Sequence, residues 1–482
     1  MSCFPASRRE LQAPSLKMQP HVLLVSFPAQ GHINPALRLA KRLLDLPGGL
    51  RVTFATSIGG DRHMARTGTP EGLSFATFSD GYDDGFKPGD DRDHQMSELK
   101  RRGSETLSEL IAANARSDQP FTFLVYCTLL PWAAKVARKH NLPSILFWNQ
   151  PAAVLDVYYY YFNGFGDYIK NHVDDLNFCL KLPGLPLLSR LDLPYFFIHT
   201  NIYPFALPLF KEHLEVLDEE SNPKVLVNTF DAIEHEALNS IDKYKLIGVG
   251  PLIPYDTSFG GDLFRGSISK DYMRWLDSKP ESSVIYISFG SISMLSEPQI
   301  EQMERALLDV GRPFLWVMRK NGKEEEIEED DDDDHCMSSC NRDELEKQGM
   351  IVPWCCQVDV LSHPSIACFL THCGWNSTLE SLAFGVPVVA FPQWADQLTI
   401  TKLVEDVWKM GVRLRTNSEG LAESAEIKRC LELVMADGGG QDNEMRRNAK
   451  NWKSLTMEAA KDGSSSELNL RAFANEILEI EV

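Results

Sequence analysis

Between Trp354 and Gln397 the chain reads WCCQVDVLSHPSIACFLTHCGWNSTLESLAFGVPVVAFPQWADQ. An apolar run, Ala367 to Thr371, enters a polar turn, His372 to Ser377. A helix is expected over Thr378–Phe384, stopped by Gly385, and Pro387 to Phe391 reads as a second buried strand. A strand, a glycine-containing turn and a helix N-terminus make an anion site, because unpaired backbone N–H groups and the helix dipole point at the ligand. His372, Asn376 and Ser377 add side-chain donors, and Glu380, one helical turn beyond Asn376, can accept from a sugar hydroxyl. Trp394, Asp396 and Gln397 supply a stacking face, an acceptor and an amide. Phosphate, ribose and hexose each find a partner of suitable chemistry.

A second chemical group lies near the N-terminus. His21 to Phe27 reads as an apolar strand, Pro28 to Ile33 as a turn, and Asn34 as the N-cap of a helix with Pro35 at its first position, running to about Leu44. Arg51 to Thr56 completes a βαβ unit. His32 then sits at the carboxyl end of a strand, the edge at which open α/β sheets bind ligands. An imidazole titrates near neutral pH and suits a general base.

The stretch from Trp354-Cys-x-Gln through His-Cys-Gly-Trp-Asn-Ser-Thr-Leu-Glu-Ser to Trp-x-Asp-Gln397 resembles the signature box of plant family 1 UDP-glycosyltransferases, in register throughout. The resemblance implies that Trp354 stacks on uracil and that Gln357 and Glu380 hold ribose hydroxyls. His372, Asn376 and Ser377 would take the phosphates, with Gly374 in the same turn and Ser291 on the donor side. Trp375, Asp396 and Gln397 would hold the sugar. A terminal Gln like Gln397 points to glucose, hence to UDP-glucose as donor and to an inverting glucosyltransferase with no cofactor. His32, in Pro-x-x-Gly-His-x-x-Pro, matches the catalytic histidine, and Gln30 and Trp148 are expected at the acceptor.

Two departures stand out. Ile400 occupies a position where the family usually carries Asn, and Cys127 stands where many members have an aspartate paired with the histidine. The run Val125 to Ala133 is similar to the branch of anthocyanin 5-O-glucosyltransferases and crocetin glucosyltransferases, which also tends to lack that aspartate. A carboxylic-acid acceptor needs no strong base, being ionised already at neutral pH. The acceptor would be a small lipophilic plant metabolite: a flavonoid or anthocyanin, another phenolic, or an apocarotenoid or other carboxylic acid, the last giving a glucosyl ester.

The 482 residues are too many for one ordinary core. A formal charge of −20 argues against nucleic-acid or anionic-membrane partners. Half of it comes from Glu324 to Asp334, read as a solvated loop. Cys336 and Cys340 follow that run without a second ligand pair at zinc-like spacing, and no Asp-x-Asp pair suits a divalent ion in the donor half, so no metal is expected. The ten cysteines are scattered, as in a reduced compartment. With no signal peptide and no spanning apolar run, the expectation is a cytoplasmic monomer whose partners are a UDP-sugar and a small acceptor.

The elements repeat as strand and helix on both sides of the Pro-, Gly- and Ser-rich stretch Pro251–Ser269, read as a linker. The expected fold is α/β: two facing Rossmann-like domains of GT-B type with a cleft between them. Residues 1–18 would be a disordered extension, 19–250 the acceptor domain and 270–460 the donor domain, with the helix in 461–482 crossing back to the first. The alternatives are a non-catalytic sugar-nucleotide-binding relative and a nicotinamide-dependent oxidoreductase. The first turn, PAQGHINP, has a single glycine, which weighs against the latter.

Overall fold

The computed structural model describes residues 19–480 except 63, 65–68, 88, 176, 199–202, 254–270, 319–341 and 437–443. The extension 1–18, nearly all of the expected linker, the acidic run and Cys336 and Cys340 therefore lie outside the described residues.

Two parallel sheets carry the fold. The first is built from β1 (His21–Val25), β2 (Arg51–Ser57), β3 (Leu73–Phe78), β4 (Phe123–Cys127) and β5 (Ser144–Trp148). After a small antiparallel pair, β6 (Cys179–Lys181) and β7 (Leu187–Ser189), it is completed by β8 (Lys224–Val227) and β9 (Lys245–Gly248). Its order is β3-β2-β1-β4-β5-β8-β9. The second contains β10 (Val284–Ser288), β11 (Phe314–Val317), β12 (Met350–Val352), β13 (Ile366–Thr371), β14 (Val388–Ala390) and β15 (Gly411–Arg413), in the order β12-β11-β10-β13-β14-β15. Each order reverses beside the first strand of its sheet. Ligands bind at the carboxyl edge of such a switch point. Segments leaving β1 and β4 meet at one switch point, and segments leaving β10 and β13 at the other.

The strands are short unbroken apolar runs such as HVLLV and VIYIS, buried along their whole length, as sheets covered on both faces require. The edge strand β3, LSFATF, is half exposed and lacks such a run, which is why its pattern does not announce a strand. The three-residue β15 is too short for any period to register. The C-terminal helix, Ser465–Leu478, lies on the first sheet: Leu470, Phe473, Ala474 and Ile477 join that sheet's core, and Glu476 pairs with Lys224 at 2.7 Å. Among the described residues no helix is long and apolar enough to cross a membrane.

Three helix starts differ from expectation. The first helix begins at Gln30, so Asn34 and Pro35 lie inside it. The signature helix spans Trp375–Phe384, with Gly374 as N-cap, three residues earlier than the polar turn suggests. A helix is also expected from the run Trp394 to Met410, but the observed helix is Gln397–Lys402, followed by a wide turn over Leu403–Val407. Before it, Gln397 Oε1 accepts from the backbone N–H groups of Gln393 and Trp394, at 2.8 and 3.0 Å, which holds Trp394–Asp396 as a loop.

Candidate active site

The donor side is assembled at the second switch point. Trp375, Asn376 and Ser377 form the first turn of the signature helix, and no side chain caps their N–H groups. Uncapped first-turn N–H groups of this kind are what an anion site needs. The His372 imidazole is wedged between Gly290 and Gly374: a Cβ on either glycine would come within 2.7 or 2.5 Å of its Nε2. Gly290 also has φ +75°, so glycine is required there twice over. Burial pushes His372 down to about 4, leaving it a neutral imidazole. Ser291 sits next to Gly290 in the loop leaving β10, and Trp354 sits half-buried just past β12.

Gln357, Ser377 and Glu380 converge. Gln357 Nε2 donates to Ser377 Oγ at 2.9 Å and to Glu380 Oε2 at 2.6 Å, while Tyr286 Oη donates to Gln357 Oε1 at 3.2 Å. Burial pushes Glu380 up to about 7 against the opposing pull of the Gln357 amide and the Arg38 guanidinium. Asp396 is also pushed up to about 7 by burial. With the Gln397 oxygen taken by two backbone donors, its Nε2 is the part left for a ligand, beside the Asp396 carboxyl.

His32 stands at the other switch point, in the first turn of the first helix. Burial pushes it down to about 4. Its Nδ1 is buried without a hydrogen-bond partner. Cys127 ends β4, which pairs with β1 one residue earlier at Val25–Tyr126. Its thiol is fully buried, pushed up to about 12, and neutral. No carboxylate stands where it could share a proton with His32 from that strand. The two sides touch: the Gly31 carbonyl accepts from Asn376 Nδ2 at 3.0 Å and from Asn149 Nδ2 at 3.3 Å. Among the described residues no group of three His, Cys, Asp or Glu side chains could hold a metal ion.

Residues 251–450 match the family described as UDP-glucoronosyl and UDP-glucosyl transferase. The phloretin 4'-O-glucosyltransferase of Malus domestica is 54% identical over 95% of this chain and 98% of its own length. The chain belongs to the UDP-glycosyltransferase family. The crocetin glucosyltransferase, chloroplastic, of Gardenia jasminoides is also 54% identical, covering 95% of this chain and 97% of its own. The anthocyanidin 3-O-glucoside 5-O-glucosyltransferase of Verbena hybrida is 50% identical over 95% and 99%. Among solved structures, Os79 from O. sativa in complex with UDP aligns with a TM-score of 0.79 at 33% identity, over 95% of this chain and 100% of Os79. The protein is a UDP-sugar-dependent glucosyltransferase of GT-B fold, which sets aside the oxidoreductase and the non-catalytic relative.

Two expected side chains of this glycosyltransferase do other work. Trp375 does not turn its indole to the cleft: Nε1 donates to the Asn228 carbonyl at 2.7 Å across the domain seam, and the ring is buried at 6.1 Å from Trp408. Its backbone N–H lies in the first turn of the helix. Trp148 is wholly buried at the end of β5, its Nε1 bonded to the Pro151 carbonyl and its ring set against Tyr158 and Phe210, so it is core rather than acceptor surface. Gln30 does open the first helix, one residue before Gly31, and is partly exposed. Tyr286, Asn228 and Asn149 were missed. Each acts through hydrogen bonds made between distant segments, and only the folded arrangement reveals such pairs.

Proposed function

We propose that this glycosyltransferase transfers glucose, with inversion, from UDP-glucose to a carboxyl or an acidic phenolic hydroxyl of a small lipophilic plant metabolite. The observation that carries the reading is the Asn376–Gly31 bond, which sets His32 of one domain beside the free N–H groups of the signature helix in the other. An acceptor oxygen attacks C1 of the glucose, giving its proton, where it still has one, to His32 Nε2. The C1–O bond to the β-phosphate breaks, and UDP leaves with the electron pair. The charge growing on the β-phosphate is met by the helix N-terminus, Asn376 and Ser377, with the neutral His372 as a donor. Trp354 stacks on the base, Gln357 and Glu380 hold the ribose, and Asp396 with the Gln397 amide holds the hexose. Gly374 lets His372 approach the phosphates, Ser291 joins the donor edge, and Gln30 lines the acceptor side. No metal or further cofactor takes part.

The preference for acidic acceptors follows from His32. An imidazole held near 4 is free to accept a proton at any neutral pH but is a weak base, and the imidazolium it forms has no carboxylate beside it. A carboxylate or a readily ionised phenol asks least of such a base. The names of the relatives, which include acceptors of both kinds, are in keeping with this. The protein is proposed to act as a cytoplasmic monomer. Release of UDP from UDP-glucose, followed over matched series of carboxylic acids, phenols and aliphatic alcohols, tests the reading. Rates should fall in that order, and a preference for aliphatic alcohols would overturn it.

A further inference from the structure

The loop Trp394–Gln397 belongs to the donor domain, but much of what holds it comes from the acceptor domain. Asp192, just after β7, is 3% exposed. Its Oδ1 accepts from Arg413 Nη2 at 2.7 Å, and its Oδ2 accepts from Ser189 N at 2.8 Å and Ser189 Oγ at 2.7 Å, with Lys402 Nζ at 3.5 Å. The backbone joins in: Thr399 Oγ1 donates to the Asp192 carbonyl at 2.7 Å and Arg413 Nη1 to the Leu191 carbonyl at 2.8 Å. Three residues on, Tyr195 N donates to the Ala395 carbonyl at 2.8 Å. Ala395 has φ +57°, a left-handed conformation unfavourable for alanine that persists only where its surroundings impose it. Ala395 immediately precedes Asp396 and Gln397, and Arg413 Nη2 also reaches the Leu398 carbonyl at 3.4 Å.

We infer that Asp192 is a positioning residue for the donor sugar: through Arg413, Lys402 and the Tyr195–Ala395 bond it holds the loop that presents Asp396 and Gln397 to the hexose. A buried carboxylate that faces two cations is costly to neutralise: Lys402 keeps Asp406, but Arg413 is left with only the Glu405 carboxylate at 3.8 Å. The segment carrying Asp192 then loses its grip, and Ala395 is free to leave its unfavourable conformation. The uracil, ribose and phosphate contacts sit on other elements and are untouched. Asp192 therefore tunes sugar recognition separately from UDP binding, through contacts made between the two domains. The inference rests on the reading that Asp396 and Gln397 hold the hexose.

The test compares Asp192→Asn, Arg413→Lys and Gln397→Ala in the full chain, measuring KM and kcat for UDP-glucose and UDP-galactose and the inhibition constant of UDP. In Asp192→Asn the KM for UDP-glucose should rise roughly tenfold, in the usual range for coupling between separate sites, and the glucose preference should shrink while the UDP constant stays within about twofold. Arg413→Lys keeps the charge but loses the fork, and should give a smaller shift of the same sign. An unchanged glucose preference in Gln397→Ala would remove the sugar-loop reading itself. A preference lost in Gln397→Ala but kept in Asp192→Asn, or a UDP constant that rises in step with the KM, would overturn the role of Asp192.

Discussion

The Asn376 amide and the Gly31 carbonyl meet at 3.0 Å across the cleft because Pro35 leaves that carbonyl free. In a regular helix the Gly31 oxygen would accept from the N–H of residue 35, and proline has none. Asn149 and Asn376 donate to it instead, one from its own domain and one from the other. A proline that breaks the rule for helix interiors thus leaves an acceptor one residue from the proposed base.

Pro35→Ala supplies the missing N–H and competes with both asparagines. The helix should tolerate or welcome the change, since proline in a helix interior is worse than alanine by about 3 kcal/mol. The contact between domains should weaken, with a several-fold higher KM for UDP-glucose and an unchanged or raised melting temperature. A melting temperature that falls, with donor KM unaltered, would show that Pro35 serves the fold alone.

His32→Ala should fold, bind UDP, and lose ~10²-fold or more in kcat on phenols, the usual contribution of a general base, with a smaller loss on carboxylic acids. Cys127→Asp is the complementary change. A carboxylate at the end of β4 should raise the His32 pKa from about 4 and move the acid limb of the pH profile of kcat/KM upward on phenols. It should leave the carboxylic-acid rates nearly alone. An acid limb that does not move would mean that Cys127 lies outside the reach of the base.

The donor box was legible because its chemistry is local. Asn376, Ser377 and Glu380 follow one strand and share the start of one helix, so their spacing alone brings them together. His32 was legible for a similar reason, as a residue just past the first strand of a βαβ unit. What sequence could not reveal is where a side chain goes when its partner lies in the other domain. Trp375 sits inside the box by position, but its indole is taken by Asn228, 147 residues away. Gln397 offers a whole amide on paper, yet the loop uses its oxygen. Proline favours first turns, which points to a helix start at Pro35, whereas here it lies inside the helix and two asparagines take up the carbonyl that its missing N–H leaves free.

The Trp375 finding has a direct consequence. Trp375→Phe keeps an aromatic ring against Trp408 but leaves the buried Asn228 carbonyl without its donor, which should destabilise the protein by about 1–3 kcal/mol. UDP affinity should hardly change, because the backbone N–H groups of the helix start remain. A melting temperature equal to the parent's, together with weakened UDP-glucose binding, would return the indole to the sugar site.

Two carboxyls and two histidines of the site contribute to the pH dependence of stability with opposite signs. Glu380 and Asp396, pushed up to about 7, hold protons in the folded chain that they would release in the unfolded one, where carboxyls titrate near about 4. Their contribution is fully present below about pH 4 and is lost as the pH rises through 7. His32 and His372, pushed down to about 4 from an ordinary value near 6.5, behave in reverse, and their contribution is lost as the pH falls from about 6.5 toward 4. Below about pH 6.5 the two pairs oppose one another, and between about pH 6.5 and 8 the carboxyls set the downward slope. Melting curves of the donor-free protein should therefore decline less steeply over that range in Glu380→Gln/Asp396→Asn than in the parent. The double variant should also be the more stable of the two at pH 8, where the parent must bury two ionised groups. Parallel curves for parent and variant would mean that neither carboxyl titrates in this range, and that both remain ionised in the folded protein.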